Sequence, residues 1–184
     1  MERQETVGNI VKEAFPSEIV SIMGDILAGI ILTLLILPFE SFALLIIIVP
    51  ALLSLRGSIS GPFIARTAKD FIIGEFNKKT WTENVLSTYT LSIITATLIG
   101  IFSILLDFLL FKLYVLPISI LIFIPIISIL LTLSISIPTS TFLNYLAFNN
   151  GFDPNTIVHP IMTAVDDFFT VICFYITLIL LGVP

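Results

Sequence analysis

The fold is decided by residues 19–38, which read IVSIMGDILAGIILTLLILP. In this run Asp25 is the only ionisable side chain, and Pro38 closes the run. An α-helix needs about 20 apolar residues to cross the ~30 Å hydrocarbon core of a bilayer. The run therefore predicts a transmembrane helix, and it directs attention to similar runs in the rest of the chain.

The composition of the whole chain indicates an integral membrane protein. Of its 184 residues, 57% are hydrophobic and only 11% are charged, and the mean hydropathy is +1.13. Soluble domains carry about 25% charged residues, so cytosolic enzymes and secreted disulfide scaffolds are excluded. Eight Lys and Arg residues against thirteen Asp and Glu residues exclude a basic surface for nucleic acid. The single Cys173 lies in an apolar run and offers neither a disulfide nor a thiolate metal site.

Four further apolar runs bring the predicted number of spans to five, at about residues 42–75, 84–106, 113–147 and 155–182. The first of these is interrupted, because its apolar part ends at Leu55 after 14 residues and the polar stretch 56–62 follows. A helix of that length reaches only about 21 Å, so we predict one span that is broken within the membrane. The run at 113–147 is interpreted as one tilted helix kinked at its prolines rather than as two spans.

The predicted fold class is all-α, a polytopic membrane protein of five transmembrane helices with a broken second helix, because coil and strand are not viable against lipid. Residues 1–18 are predicted as a short cytoplasmic or interfacial segment. This segment is either a helix on the membrane surface that Pro16 ends or a frayed terminus. Residues 19–184 form the five-helix transmembrane domain.

The orientation follows from the distribution of cations. Lys112 alone falls on one side of the membrane, and the positive-inside rule assigns the other side to the cytoplasm. We therefore predict a multi-pass protein of the cell membrane with a cytoplasmic N-terminus and, after five spans, an outside C-terminus. The cations on the cytoplasmic side are Arg3, Lys12, Arg66, Lys69, Lys78 and Lys79.

One face of the last span carries polar side chains. His159, Thr163 and Asp167 are spaced by steps of four, and Thr170 and Thr177 continue the same helical face. A carboxylate inside a bilayer costs about 2.5–3.5 kcal/mol on insertion scales and usually serves function. Oxygen and imidazole ligands suit hard divalent cations better than thiophilic metals. Alternatively, the threonines bond back to their own backbone and Asp167 pairs with a buried cation.

The other ionisable residues of the spans have several interpretations. Asp166 is rotated about 100° from the face of Asp167 and is a secondary candidate for cation binding. Asp25 is another, and buried hydrogen bonding and cavity lining suit it equally well. Asp107, near a span end, is interpreted as a solvated interfacial carboxylate, and His159 as a hydrogen-bonded interfacial residue. Asp153 is interpreted as the N-cap of the last helix, with a further role in attracting cations to the pore mouth.

Two stripes of small polar residues are predicted to serve helix packing rather than to line a path, because small hydroxyl residues let helices approach closely. One lies on the third span and the other recurs every fourth residue on the fourth span. The two stripes are Asn84, Thr88, Ser92 and Thr95, and Ser128, Thr132, Ser136, Ser140 and Asn144.

Two segments of the chain resemble a known family. The run from Pro50 to Gly57, continued by Ala65-Arg66-Thr67 and Gly74-Glu75, resembles the second transmembrane helix of the MgtE magnesium channel family. The segment Asp153-Pro154, followed by PIMTAVDD at residues 160–167, is similar to the last helix of that family. Pro-Phe-Glu at residues 38–40 matches the family's first interhelical turn. The likeness covers residues 19–182 and is greatest to the eukaryotic solute-carrier branch and its archaeal relatives.

The resemblance implies a five-helix protomer that pairs across a twofold axis, with helices two and five lining a cation pore. It assigns the central Mg²⁺ site to Asp167, with Thr163 one turn before it, and an acidic position near the cytoplasmic end to Asp153. Arg56, Ser58 and Pro62 stand where the bacterial pattern has a Gly-Gly-Asn turn and a Gln, so helix two offers no matching side-chain amide. The pore-lining residues implied are Gly57, Ser58, His159 and Thr170.

We therefore predict a channel or transporter subunit for divalent cations, with Mg²⁺ as the transported ion, no organic cofactor and no enzymatic activity. Its partners are the lipid bilayer and a second copy of the chain, or a paralogous half in a heterodimer. One alternative is an intramembrane aspartyl hydrolase, which needs two carboxylates converging from different helices, whereas Asp166 and Asp167 point apart on one helix. The other is a non-transporting structural subunit of a heteromeric membrane complex.

Overall fold

The structure is a computed structural model and describes residues 7–37, 42–112 and 116–183. These residues form five long α-helices, and no strand occurs among them. All five helices are long and apolar enough to cross a membrane, which confirms the all-α fold class. Arg3 and the turn predicted at residues 38–40 lie outside the described residues. The helices are α1 (Val7–Ile36), α2 (Phe42–Ile73), α3 (Lys78–Leu106), α4 (Ile118–Asn149) and α5 (Pro154–Leu180).

The starts of α3 and α5 follow from their capping residues. The Asn77 side chain accepts hydrogen bonds from the backbone N–H groups of Lys79 and Thr80, and the Thr80 hydroxyl accepts one from the Asn77 N–H group. At α5, Asp153 Oδ1 accepts from the Asn155 N–H group at 2.9 Å, and Pro154 occupies the first helical position. The N-cap predicted at Asp153 is therefore confirmed.

Two predicted helix breaks are wrong. α2 runs without interruption through residues 56–62, and α1 runs through Pro16. The polar residues of α2 fit a continuous helix, since the Ser58 hydroxyl donates to the Ser54 carbonyl oxygen and the Arg56 guanidinium pairs with a carboxylate on another helix. In α1, Pro16 is exposed, so water or lipid headgroups can donate to the Lys12 carbonyl oxygen that the missing N–H group of Pro16 leaves without a donor.

The structure between α3 and α4 shows that the interpretation of Asp107 as solvated is wrong, and the next helix confirms the interpretation of the fourth span as one helix. α3 is followed by a π-helical turn, Asp107–Phe111, and the Lys112 N–H group donates to the Asp107 carbonyl oxygen at 2.6 Å. The exposed fraction of Asp107 is 5%, so this residue is buried rather than solvated. α4 is a single helix that contains Pro125 and Pro138, as predicted from the run at 113–147.

α5 lies at the centre of the bundle, in contact with α1, α2 and α4, while α3 packs against α2 and α4. The larger apolar core joins α2, α4 and the end of α5 through residues such as Leu52, Ile124 and Phe174. The hydroxyl stripe of α4 is buried along its whole length, and Asn144 Nδ2 donates to the Ile64 carbonyl oxygen at 3.4 Å. Its burial in helix contacts agrees with the predicted packing role.

Gly24 lets α1 approach α5 closely. A Cβ atom built on Gly24 would overlap the Cβ atom of Ala164 and lie 2.7 Å from its Cα atom. We expect Gly24→Leu to push α1 away from α5 and to lower the melting temperature in detergent by about 5 °C or more. Gly29→Leu is the matched control on the same helix, because nothing lies within 4 Å of the Gly29 position. Equal melting temperatures for the two variants would contradict the close packing.

Candidate cation site

A cleft of about 250 Å³ lies between the middle of α2 and the first half of α5. α2 contributes residues spaced by one, three, three and four, and α5 contributes residues spaced by four, three and one, so each helix presents one face to the cleft. The lining residues are Leu53, Ser54, Gly57, Ser60 and Ile64 from α2, and His159, Thr163, Asp166 and Asp167 from α5.

The α5 wall of the cleft carries the first part of the predicted polar face. Asp167 is half-buried, and Thr163 lies one turn before it with its hydroxyl donating to the His159 carbonyl oxygen at 3.0 Å. That donation leaves the lone pairs of the Thr163 oxygen available to a cation or to its water shell. The His159 ring lies over Gly61 of α2, where an added Cβ atom would be only 2.9 Å from Nε2.

α1 adds a second carboxylate beside the cleft. The Asp25 carboxyl lies within hydrogen-bonding reach of the Asp167 carboxyl, and Asp25 itself is exposed. Both roles that the sequence left open for Asp25 stay predictions, since its carboxyl reaches Asp167 while its side chain is exposed in the protomer. Two carboxylates this close together repel one another, and a cation between them would relieve the repulsion.

Arg56 makes the contact that the sequence did not predict. Its guanidinium Nη2 lies 2.8 Å from Asp166 Oδ1, with side-chain exposed fractions of 0% and 3%. The Ser60 hydroxyl donates to the other oxygen, Oδ2. A buried cation does pair with a carboxylate of α5, but its partner is Asp166 and not Asp167. The sequence signal for this contact was an arginine within an apolar span, because a guanidinium inside the membrane needs an opposite charge at the same depth.

Three of the other sequence-predicted residues lie away from the cleft. Ser58 is exposed and is not among the residues that line the cleft, and Thr170 is buried with no hydrogen-bond partner for its hydroxyl among the described residues. Asp153 caps α5 and does not line the cleft. Gly57 does line it, with open space where a side chain would stand.

The arrangement can hold a cation mainly through oxygen. Asp167 supplies the charge, and the hydroxyls of Thr163 and Ser54 supply neutral oxygens along the same cleft. Within the described residues no group of three or more His, Cys, Asp or Glu side chains is close enough to hold a metal ion. A carboxylate with two hydroxyls beside it can hold an ion that keeps part of its water shell.

A family model described as MgtE, divalent cation transporter, matches residues 49–177. The chain belongs to the MgtE family. The match runs from the first half of α2 to the end of α5, so it includes both walls of the cleft. No curated protein and no solved structure matches the chain significantly.

Family membership makes this MgtE protein a divalent cation transporter. It gives no support to the aspartyl hydrolase, although Asp25 and Asp167 do converge from two helices. The relation to the eukaryotic and archaeal branches stays a prediction from the residues quoted above.

Proposed function

We propose that this MgtE protein carries Mg²⁺ across the cell membrane along the cleft between α2 and α5, with Asp167 as the central ion-binding carboxylate. One observation carries the proposal. Asp167 faces the cleft, whereas both oxygens of the neighbouring Asp166 are engaged by Arg56 and Ser60. Of this adjacent pair, Asp167 is the carboxylate available to an ion.

The sparse ligand set supports Mg²⁺ as the cargo. Mg²⁺ gives up its water reluctantly and usually keeps several water molecules when it binds to protein carboxylates. Thr163 and Ser54 are suited to accept or donate hydrogen bonds to that water shell. Binding through water is also weak enough for release, which conduction requires.

Transport by the purified protein tests the function directly. The protein is reconstituted in liposomes, and the uptake of Mg²⁺, Mn²⁺, Co²⁺ and Ca²⁺ is measured at equal protein density. We expect uptake of Mg²⁺ in the absence of any other protein. No uptake of any of the four ions by folded, correctly inserted protein would favour a non-transporting subunit instead.

The functional unit is a dimer with the α2–α5 clefts of two protomers facing each other across a twofold axis. The cleft is open at the surface of the protomer, and a second copy would close it and supply a second Asp167. Single cysteines along residues 159–170, in a chain carrying Cys173→Ser, should crosslink with helical periodicity, most strongly at the cleft-lining positions. A monomer in mild detergent that still transports after reconstitution would contradict this assembly, and a requirement for a related second chain would indicate a heterodimer.

The N-terminus lies in the cytoplasm and the C-terminus outside. Lys69, Lys78 and Lys79 are exposed where α2 ends and α3 begins, and Lys112 is exposed at the opposite end of the bundle. A cysteine added at the C-terminus should react with a membrane-impermeant reagent in intact cells. Labelling in permeabilised cells alone would reverse the orientation.

A further inference from the structure

The ion pair of Arg56 and Asp166 lies directly beside the residue proposed to bind the cargo. Arg56 comes from the middle of α2, and Asp166 precedes Asp167 in α5. Gly57, the residue after Arg56, and Ser60, which hydrogen bonds to Asp166, both line the cleft. The pair is therefore part of the wall behind the ion path, although Arg56 itself is fully buried.

Arg56 has hydrogen-bonding capacity that Asp166 does not use. Its Nε and Nη1 atoms are buried and find no acceptor among the described residues. Asp166 and Asp167 are consecutive in α5 and both line the cleft, so the guanidinium held by Asp166 lies next to the part of the helix that carries Asp167. A guanidinium is always charged in proteins and binds carboxylates through two parallel N–H groups. Asp167 would thus be a suitable partner for Arg56 if Asp166 did not hold it.

We propose that Asp166 is a positioning residue that holds Arg56 away from Asp167, and that Arg56 would otherwise act as a tethered cation competing with the cargo. This inference rests on the proposed role of Asp167. With the pair intact, the charges of Arg56 and Asp166 cancel, and the Asp167 carboxylate keeps its charge, with Asp25 of α1 beside it. Without the Asp166 charge, Arg56 would cancel the charge of Asp167, so the site would attract a divalent ion with one negative charge fewer.

The test compares Asp166→Asn with the double variant Arg56→Gln/Asp166→Asn, by Mg²⁺ uptake into liposomes and by calorimetric Mg²⁺ titration of the purified protein. We expect Asp166→Asn to lower uptake and binding by about tenfold or more, although its side chain does not touch the ion. The double variant should recover most of the Mg²⁺ uptake and most of the Mg²⁺ binding, because removing the guanidinium removes the competing cation. Asp166→Glu, which keeps the charge, should lower uptake and binding less than Asp166→Asn does.

A purely structural role for the pair predicts the same order of stability, since removing one charge of a buried ion pair costs more than removing both. The melting temperatures in detergent therefore separate the two cases. Loss of Mg²⁺ binding in Asp166→Asn that melts like the parent supports competition by Arg56, and a loss that only follows a lowered melting temperature overturns it. Parent-like Mg²⁺ binding in folded Asp166→Asn would overturn the proposal. If Asp166→Asn cannot be purified folded, the double variant decides alone: Mg²⁺ binding and uptake near the parent support the proposal, and their loss in folded protein overturns it. Parent-like uptake in Asp167→Asn would instead contradict the proposed function.

Discussion

Asp167→Asn is expected to abolish Mg²⁺ uptake, or to lower it by about an order of magnitude or more, while the protein still folds and inserts. Asparagine keeps the volume and most of the hydrogen bonding of aspartate, so the packing of α5 against α1 and α2 should survive. What is lost is the charge that faces the cleft. Because Asp166 is neutralised by Arg56, no other α5 carboxylate facing the cleft can replace it.

Glu83→Gln is the matched control for this variant. It makes the same change from carboxylate to amide at an exposed residue of α3 that lies outside the cleft, where Glu83 makes only a 4.0 Å contact with Lys79. Uptake is measured in liposomes at equal protein density for the parent and both variants. Equal uptake by Asp167→Asn and the parent would remove Asp167 from the mechanism.

Arg56→Met is expected to yield little folded protein. Removing one partner of a buried ion pair costs about 3–5 kcal/mol, because the other charge stays buried without compensation. Arg56→Met/Asp166→Leu replaces both charges with apolar side chains of similar volume, a change that is often neutral or stabilising. The double variant should therefore recover much of the lost stability, even though it carries two substitutions in the middle of the bundle.

The measurements are the monodisperse fraction in size-exclusion chromatography and the melting temperature in detergent. Arg66→Met is the control, since Arg66 is an exposed arginine on the same helix. We expect it to resemble the parent. If Arg56→Met and Arg66→Met were equally stable, the contact between Arg56 and Asp166 would contribute nothing to the fold.

The sequence predicted the helices well, because crossing a bilayer requires about 20 apolar residues per helix and five runs of that kind are present. It failed at residues 56–62, where glycine and polar residues were taken to end a helix. The preference of glycine and polar residues for helix ends applies to helices in water. Inside a membrane the chain gains by completing its own backbone hydrogen bonds, so polar side chains are satisfied within a continuous helix.

The sequence predicted the part of the candidate site that lies on α5, but not the contacts of α5 with its neighbouring helices. Spacing along α5 correctly placed His159, Thr163 and Asp167 on one face, and that face lines the cleft. Thr170 follows the same spacing but is buried, because the face passes from the cleft into the bundle towards the end of α5. Periodicity gives the faces of a single helix and says nothing of which neighbour they meet. The partner of Arg56 could not be predicted for that reason.

Gly61 sets how closely the His159 ring can approach α2. A methyl group at residue 61 would stand 2.9 Å from Nε2, so the imidazole would have to move away from α2. His159 lines the cleft and Gly61 does not. Along the proposed ion path, the position of this ring therefore depends on a hydrogen atom where every other amino acid has carbon. In the proposed pair of protomers such a change would act on both walls. A residue without a side chain would then shape the path without meeting the ion.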